Sequence, residues 1–117
     1  IIQASHQNKG YFFNKYKEYS NQIKNYYGDS AKFNYKKFDK KFDLIFIDGS
    51  HKYENVVIDS ENAINVLNDD GFILWHDYSL KNIEVVKAIK YIKKKYNLKI
   101  YSIKNTKFAI YGKKLKI

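Results

Sequence analysis

At 117 residues the chain has room for one small domain with a single core and not for two. It contains no cysteine, which excludes disulfides, thiolate metal sites and a cysteine nucleophile. No stretch approaches the roughly 18 apolar residues of a membrane span and no signal-peptide pattern is present, so a cytoplasmic protein is expected. The formal net charge of +10 comes from 22 basic residues, all of them lysine. Without arginine, the usual source of bidentate base and phosphate contacts, the charge argues for a solvated surface rather than a nucleic-acid partner. Methionine is absent and Ile1-Ile2-Gln3 reads as mid-domain, so the chain is expected to be part of a longer domain.

Residues 1–20 carry the weakest pattern. Phe12, Tyr16 and Tyr19 fall at helical intervals among Tyr11 and Phe13, leaving a short helix and an aromatic-rich loop both open. His6 stands alone in a polar context, without metal-ligand spacing around it. Gln22–Tyr27 alternates weakly and ends at Gly28-Asp29-Ser30, which predicts a strand closing on a turn. By itself Asp29 reads as the cap of that turn, or as an acceptor for a ligand's amino group, with the cap favoured. Lys36-Lys37 and Lys40-Lys41, interleaved with Phe38 and Phe42, read as a solvated loop.

The densest signal is Phe42-Asp-Leu-Ile-Phe-Ile-Asp-Gly-Ser-His51. Its apolar run is too short for a typical helix and is closed by Asp48-Gly49, which predicts a strand buried on both faces inside a parallel sheet with helices on either side. Ligands bind at the carboxyl ends of such strands, so Asp48 to His51 would lie where chemistry is done. A helix is predicted from about Tyr53 to Leu67, with Val56, Ala63, Ile64 and Leu67 on one stripe and Glu54, Asp59, Glu61 and Asn65 on the polar side. Ser50 or His51 would stand near its N-terminus, which favours an anionic ligand.

Asn68-Asp69-Asp70-Gly71 reads as the turn ending that helix, and Gly71–Trp75 as a second buried strand closing on His76-Asp77-Tyr78. Strand, helix and strand within about 30 residues make a βαβ unit, which brings Asp48 and His76-Asp77 to the same edge of the sheet. A helix over about Asn82 to Tyr96 follows, with Val85, Ala88, Ile89, Ile92 and Tyr96 on one face. Leu98–Ile103 and Lys107–Tyr111, joined by three residues, predict an antiparallel hairpin.

Gly28-Asp29-Ser30, then Phe42 to Glu54, Asp70 to Tyr78 and Lys104 to Tyr111, form an ordered set. It resembles the second half of a class I S-adenosylmethionine-dependent methyltransferase, in a bacterial branch of small-molecule and sugar O-methyltransferases, over roughly Gln22 to Gly112. The fold implied is the C-terminal portion of a Rossmann-like α/β sheet: two parallel strands with crossover helices and a terminal antiparallel hairpin, one partial domain over 1–117. The cofactor implied is S-adenosylmethionine and the partner a small-molecule or sugar acceptor. Asp29 would meet the adenine amino group with Ser30 beside it, which reverses the turn-cap preference. Asp48 would face the methyl-transfer site with Gly49 beside it. In metal-using relatives Asp48 and Asp77 match acidic ligands of Mg²⁺ or another divalent metal; His76 stands where an acidic residue is common, which puts a magnesium site in doubt. His51 is a candidate general base beside Asp48. Without the resemblance, Asp48 also reads as a cap of the next helix and His76 as a satisfied neutral side chain.

No Gly-x-Gly occurs among the five glycines, although a glycine-rich loop after the first strand carries part of the cofactor in this fold. The 117-residue chain is therefore expected to bind S-adenosylmethionine weakly or not at all and to be inactive by itself. A non-catalytic binding protein on a degenerate methyltransferase fold is the main alternative. A basic nucleic-acid-binding module, which would bind with steep salt dependence, is the third.

Overall fold

The computed structural model of the protein describes residues 2–3, 17–38 and 41–115. The chain divides into two compact units, Ile1–Asn34 and Tyr35–Ile117. In the first, β1 (Ile2–Gln3) pairs in parallel with β2 (Tyr26–Tyr27). The strand expected over Gln22–Tyr27 is thus cut to its last two residues. Lys17–Gln22 is a 3₁₀ helix containing Tyr19, and residues 23–25 are irregular, because Asn21 and Asn25 favour turns and the alternation around them is weak. Gly28 leaves the strand at φ 148°, a backbone angle that side-chain-bearing residues rarely adopt. Asp29 then opens a second 3₁₀ turn, Ser30–Lys32. His6, Tyr11, Phe12, Phe13 and Tyr16 lie outside the described residues.

The second unit runs β3 (Phe42–Ile47), α1 (Tyr53–Val66), β4 (Leu67–Trp75), α2 (Ile83–Lys95), β5 (Tyr101–Ser102) and β6 (Ala109–Gly112). The sheet order is β3-β4-β6-β5, with β3 and β4 parallel and β6 antiparallel to both β4 and β5. The βαβ unit and the terminal hairpin are therefore both present. The hairpin strands are shorter than anticipated because local bonds hold their ends. The Leu98 N–H donates to Lys93 O and the Lys93 ammonium to Ile100 O, tying that stretch to the end of α2. At the turn, the Thr106 hydroxyl donates to Ile103 O and accepts from the Phe108 N–H.

β3 is not buried on both faces. Ile45 and Ile47 pack against the core, but Leu44 is 65 % and Phe46 52 % exposed. Successive strand residues point to opposite faces, and both helices contribute to the core on one of them. Among the described residues β3 pairs only with β4. A short apolar run reads the same whether one face or two are covered.

Asn68-Asp69-Asp70-Gly71 is not a turn between helix and strand either. The chain passes from Val66 directly into β4, and these four residues stand opposite Asp43 alone, since Phe42 pairs with Leu67 and Leu44 with Phe72. The irregularity is tied down on both sides. The Asn68 amide donates to Asp43 Oδ1 at 2.8 Å, Lys113 pairs with Asp69 at 2.6 Å, and Lys114 pairs with Asp70. Gly71 fits because a Cβ there would come within 2.8 Å of the Phe42 carbonyl and 3.0 Å of that of Asp43.

Helix α2 buries Val85, Ala88, Ile89 and Ile92, four of the five residues expected on its apolar face, whereas Tyr96 is its exposed C-cap. Glu84 and Lys93 to Lys95 sit at the ends that favour their charges. Helix α1 buries Val56, Asp59, Ser60 and Ala63 at the same spacing. Asp59, expected on the polar side, belongs to the buried stripe. Ser60 is satisfied there: its hydroxyl donates to Val56 O at 2.6 Å and accepts the Trp75 indole N–H at 2.9 Å. The Lys95–Glu61 pair at 2.7 Å joins the two helices across a partly exposed joint, where such pairs contribute at most about 1 kcal/mol. Burying Val85, Ile89 and Ile92 contributes roughly 1.5–3 kcal/mol each, so apolar packing dominates that joint.

Candidate active site

The parallel register places Ile47 opposite Trp75. The next residues of the two strands, Asp48 and His76, therefore leave the sheet side by side, and the His76 N–H still donates to Ile47 O at 3.0 Å. His76 Nδ1 lies 3.2 Å from Asp48 Oδ1 and 2.9 Å from Asp77 Oδ2. His51, delivered by the short link from β3 to α1, places Nε2 2.8 Å from the same Asp77 oxygen. That link is shaped by Ser50, whose hydroxyl accepts the Lys52 N–H, and Lys52 rather than Ser50 or His51 stands at the helix cap.

Asp77 is the centre of the cluster. It adopts φ 60°, a left-handed conformation that aspartate tolerates better than most residues and that concentrates at functional sites. Its side chain is 14 % exposed, against 48 % for Asp48 and 55 % for His51. Burial raises its carboxyl pKa; the hydrogen bond and charge of His76, with the charge and hydrogen bond of His51, outweigh that and hold it below the usual carboxylate range. An ionised carboxylate only accepts, so His51 Nε2 donates to Asp77. His76 Nδ1 faces the Asp77 and Asp48 oxygens as a donor when it carries the ring proton, and as a ligand lone pair when that proton is on Nε2.

Asp48, Gly49, His51, His76 and Asp77 thus come together around one hollow of about 230 Å³, lined also by Ile47, Ser50, Val56, Trp75 and Val85. Asp29 and Ser30 belong to the other compact unit. There Asp29 Oδ1 accepts the Ala31 N–H at 3.0 Å, the turn-capping role its sequence context suggests, and Oδ2 lies 3.8 Å from the Lys32 ammonium.

Three neighbours escape a motif-based reading. Phe46 and Phe108 flank the His76 ring, with centroids 6.4 and 5.1 Å away. Asp59 lies beneath the β3–α1 link, where a Cβ at Gly49 would come 3.5 Å from its Oδ2. Burial, and then the Asp59 charge, push the Tyr35 phenol up to about 12. The i, i+3, i+4, i+7 series through Val56 and Ala63 would have found Asp59; nothing local marks Phe108.

One oxygen of Asp48, one of Asp77 and Nδ1 of His76 lie within 4.8 Å of one another. That is about twice a metal–ligand distance of roughly 2.0–2.6 Å, so the donor set fits one divalent ion. Much of the hollow is open to solvent, and its enclosed cavity volume is only about 10 Å³, far below the roughly 300–1,000 Å³ of small-molecule pockets.

The methyltransferase domain family matches residues 2–78. No curated protein sequence matches the chain. Among solved structures, the fold is similar to that of the O-methyltransferase NovP, with a TM-score of 0.67 at 12 % identity over 85 % of this chain and 42 % of that one. It is equally similar to the apo form of CalS11, a TDP-rhamnose 3′-O-methyltransferase of calicheamicin biosynthesis, with a TM-score of 0.67 at 11 % identity over 96 % of this chain and 57 % of that one. The chain spans about half the length of these structures. With most of its length matched by the family and its sheet arranged as in these enzymes, the chain belongs to the class I S-adenosylmethionine-dependent methyltransferase domain family.

Proposed function

We propose that this domain serves methyl transfer from S-adenosylmethionine to a hydroxyl of a small molecule or sugar. The observation that carries the reading is the convergence of Asp48, His51, His76 and Asp77 at the carboxyl ends of β3 and β4. His51 Nε2–H is bonded to the Asp77 carboxylate, which leaves Nδ1 of the half-exposed ring as a base and stabilises the imidazolium that forms. His51 takes the proton of the acceptor hydroxyl while its oxygen forms the new bond to carbon. S-adenosylmethionine, when bound, supplies a methyl group on a sulfonium that departs as a neutral thioether. Asp48 and Gly49 would stand beside its reacting end. Asp48, His76 and Asp77 would hold a divalent ion, which would supply a Lewis acid lowering the pKa of the acceptor hydroxyl.

The small hollow and the absence of Gly-x-Gly support a further point: the 117-residue chain alone binds S-adenosylmethionine weakly or not at all. Those two features also favour the second reading, a non-catalytic binding protein on this fold. The test is transfer of labelled methyl to sugar, phenol and amine acceptors by the protein that carries this domain, with and without His51→Ala. Transfer to hydroxyls that falls about 10²–10⁴-fold in the variant is expected. Transfer confined to amines would overturn the hydroxyl assignment, and none to any acceptor would favour the non-catalytic reading.

A further inference from the structure

His76 is where this cluster departs from an all-carboxylate donor set, and its surroundings hold the ring in one orientation. Phe46 comes from β3 and Phe108 from the β5–β6 hairpin, and the two rings approach each other with centroids 6.1 Å apart. The hairpin is fastened to the strand end by the Tyr78 N–H donating to Lys107 O at 2.9 Å. Backbone and ring are thus fixed by β3, β4 and the hairpin together. What they fix is Nδ1, placed within 3.2 Å of one carboxylate oxygen on each side. His51 lacks such a clamp among the described ring contacts; it is more than half exposed and meets the cluster only through Asp77.

We propose that His76 makes this a mixed nitrogen–oxygen cation site that selects Mn²⁺ over Mg²⁺. The proposal rests on the metal-assisted reading given above and names the ion for it. Mg²⁺ is small and hard, dehydrates reluctantly and takes oxygen ligands. An imidazole nitrogen is a softer donor, better matched to first-row transition ions. A neutral imidazole in place of a carboxylate also removes one negative charge, which weakens the attraction a hard ion depends on most. The nitrogen's stronger bond to Mn²⁺ remains.

The experiment is calorimetric titration of the full chain with Mn²⁺ and with Mg²⁺, beside pulsed EPR of bound Mn²⁺ to detect a directly coordinated ¹⁴N. One Mn²⁺ is expected to bind at least about tenfold more tightly than Mg²⁺, with nitrogen coupling present. His76→Asp should keep Mn²⁺ binding, abolish the coupling and lower the Mn²⁺/Mg²⁺ affinity ratio about tenfold, whereas His51→Asn should leave the coupling intact. Near-ultraviolet circular dichroism of Trp75 reports whether each variant folds. Should His76→Asp unfold, His76→Gln removes the same nitrogen and carries the same comparison. Absence of stoichiometric Mn²⁺ binding, an unchanged ratio on removing His76, or loss of coupling in His51→Asn would overturn the proposal. Methyl transfer to hydroxyls without a bound ion would sink it while leaving O-methylation standing; selective Mn²⁺ binding with transfer confined to amines would support the ion and sink O-methylation.

Discussion

The two ends of the β3–β4 pair both gather aspartates, and they use them differently. At the amino end of β4, Asp43 accepts from the Asn68 amide while Asp69 and Asp70 are paired with Lys113 and Lys114. At the carboxyl end, Asp48 and Asp77 are held by two imidazoles and by no lysine that the ion pairs show. A lysine ammonium is a permanent cation at neutral pH and a poor proton shuttle there. An imidazole can carry a proton, give it up, or bind an ion with its lone pair. The same carboxylate chemistry therefore fastens the sheet at one end and leaves an imidazole–carboxylate cluster at the other. The lysine-rich composition makes that exclusion informative: with 22 lysines in the chain, the two carboxylates at the cluster are paired with histidine instead.

The largest expected effect breaks the comparison from the carboxyl end. In the protein that carries this domain, Asp77→Asn removes the acceptor shared by both imidazoles and should lower methyl transfer about 10²–10⁴-fold. Asp69→Asn, at the other end, should leave the rate unchanged. Equal losses in labelled-methyl assays would mean that Asp77 acts only through the fold. The next effect comes from the amino end. Gly71→Ala places a methyl against the Phe42 and Asp43 carbonyls and should destabilise the chain by about 1–3 kcal/mol, read as a lower urea midpoint. An unchanged midpoint would show that the bulge yields without cost.

The carboxyl end was legible in sequence and the amino end was not, for physical reasons. Asp48 and His76-Asp77 follow apolar runs, and one helix between two strands suffices to set them side by side, so local pattern and topology agree. Asn68 to Gly71 carries the residues of a turn, but partners distant in sequence, Asp43, Lys113 and Lys114, decide that it becomes a bulge. Hydropathy assigned Asp59 to the outside of α1, whereas its helical position beside Val56, Ser60 and Ala63 puts it inside. Leu44 and Phe46 show the limit of an apolar run, which records that a strand is greasy and not how many of its faces are covered. His76 could be named as a ligand from sequence, but the ring of Phe108 that helps to hold it comes from a hairpin some thirty residues later.

The smallest expected effect sharpens the contrast by salt and acid. Asp69 is held below its ordinary 3.8 by the hydrogen bond and then the charge of Lys113, and both partners are largely exposed. A carboxyl whose folded pKa is depressed adds stability that is present above the unfolded value and lost as pH falls through the folded one. Asp69 should therefore contribute a small acid-labile increment below about pH 4, erased by roughly 1 M salt because exposed pairs are screened within about 3 Å there. Asp77 is depressed in the same direction, so it too loses stability in acid, but its carboxylate is only 14 % exposed and should be screened less than the exposed Lys113–Asp69 pair. Denaturation midpoints from pH 6 to pH 3, at low and high salt, separate the two: the Asp69→Asn difference should vanish in salt while the Asp77→Asn difference persists. If salt erased both alike, the cluster at the carboxyl end would be as open to solvent as the lysine pairs, and the physical ground for treating it as the reactive end would be gone.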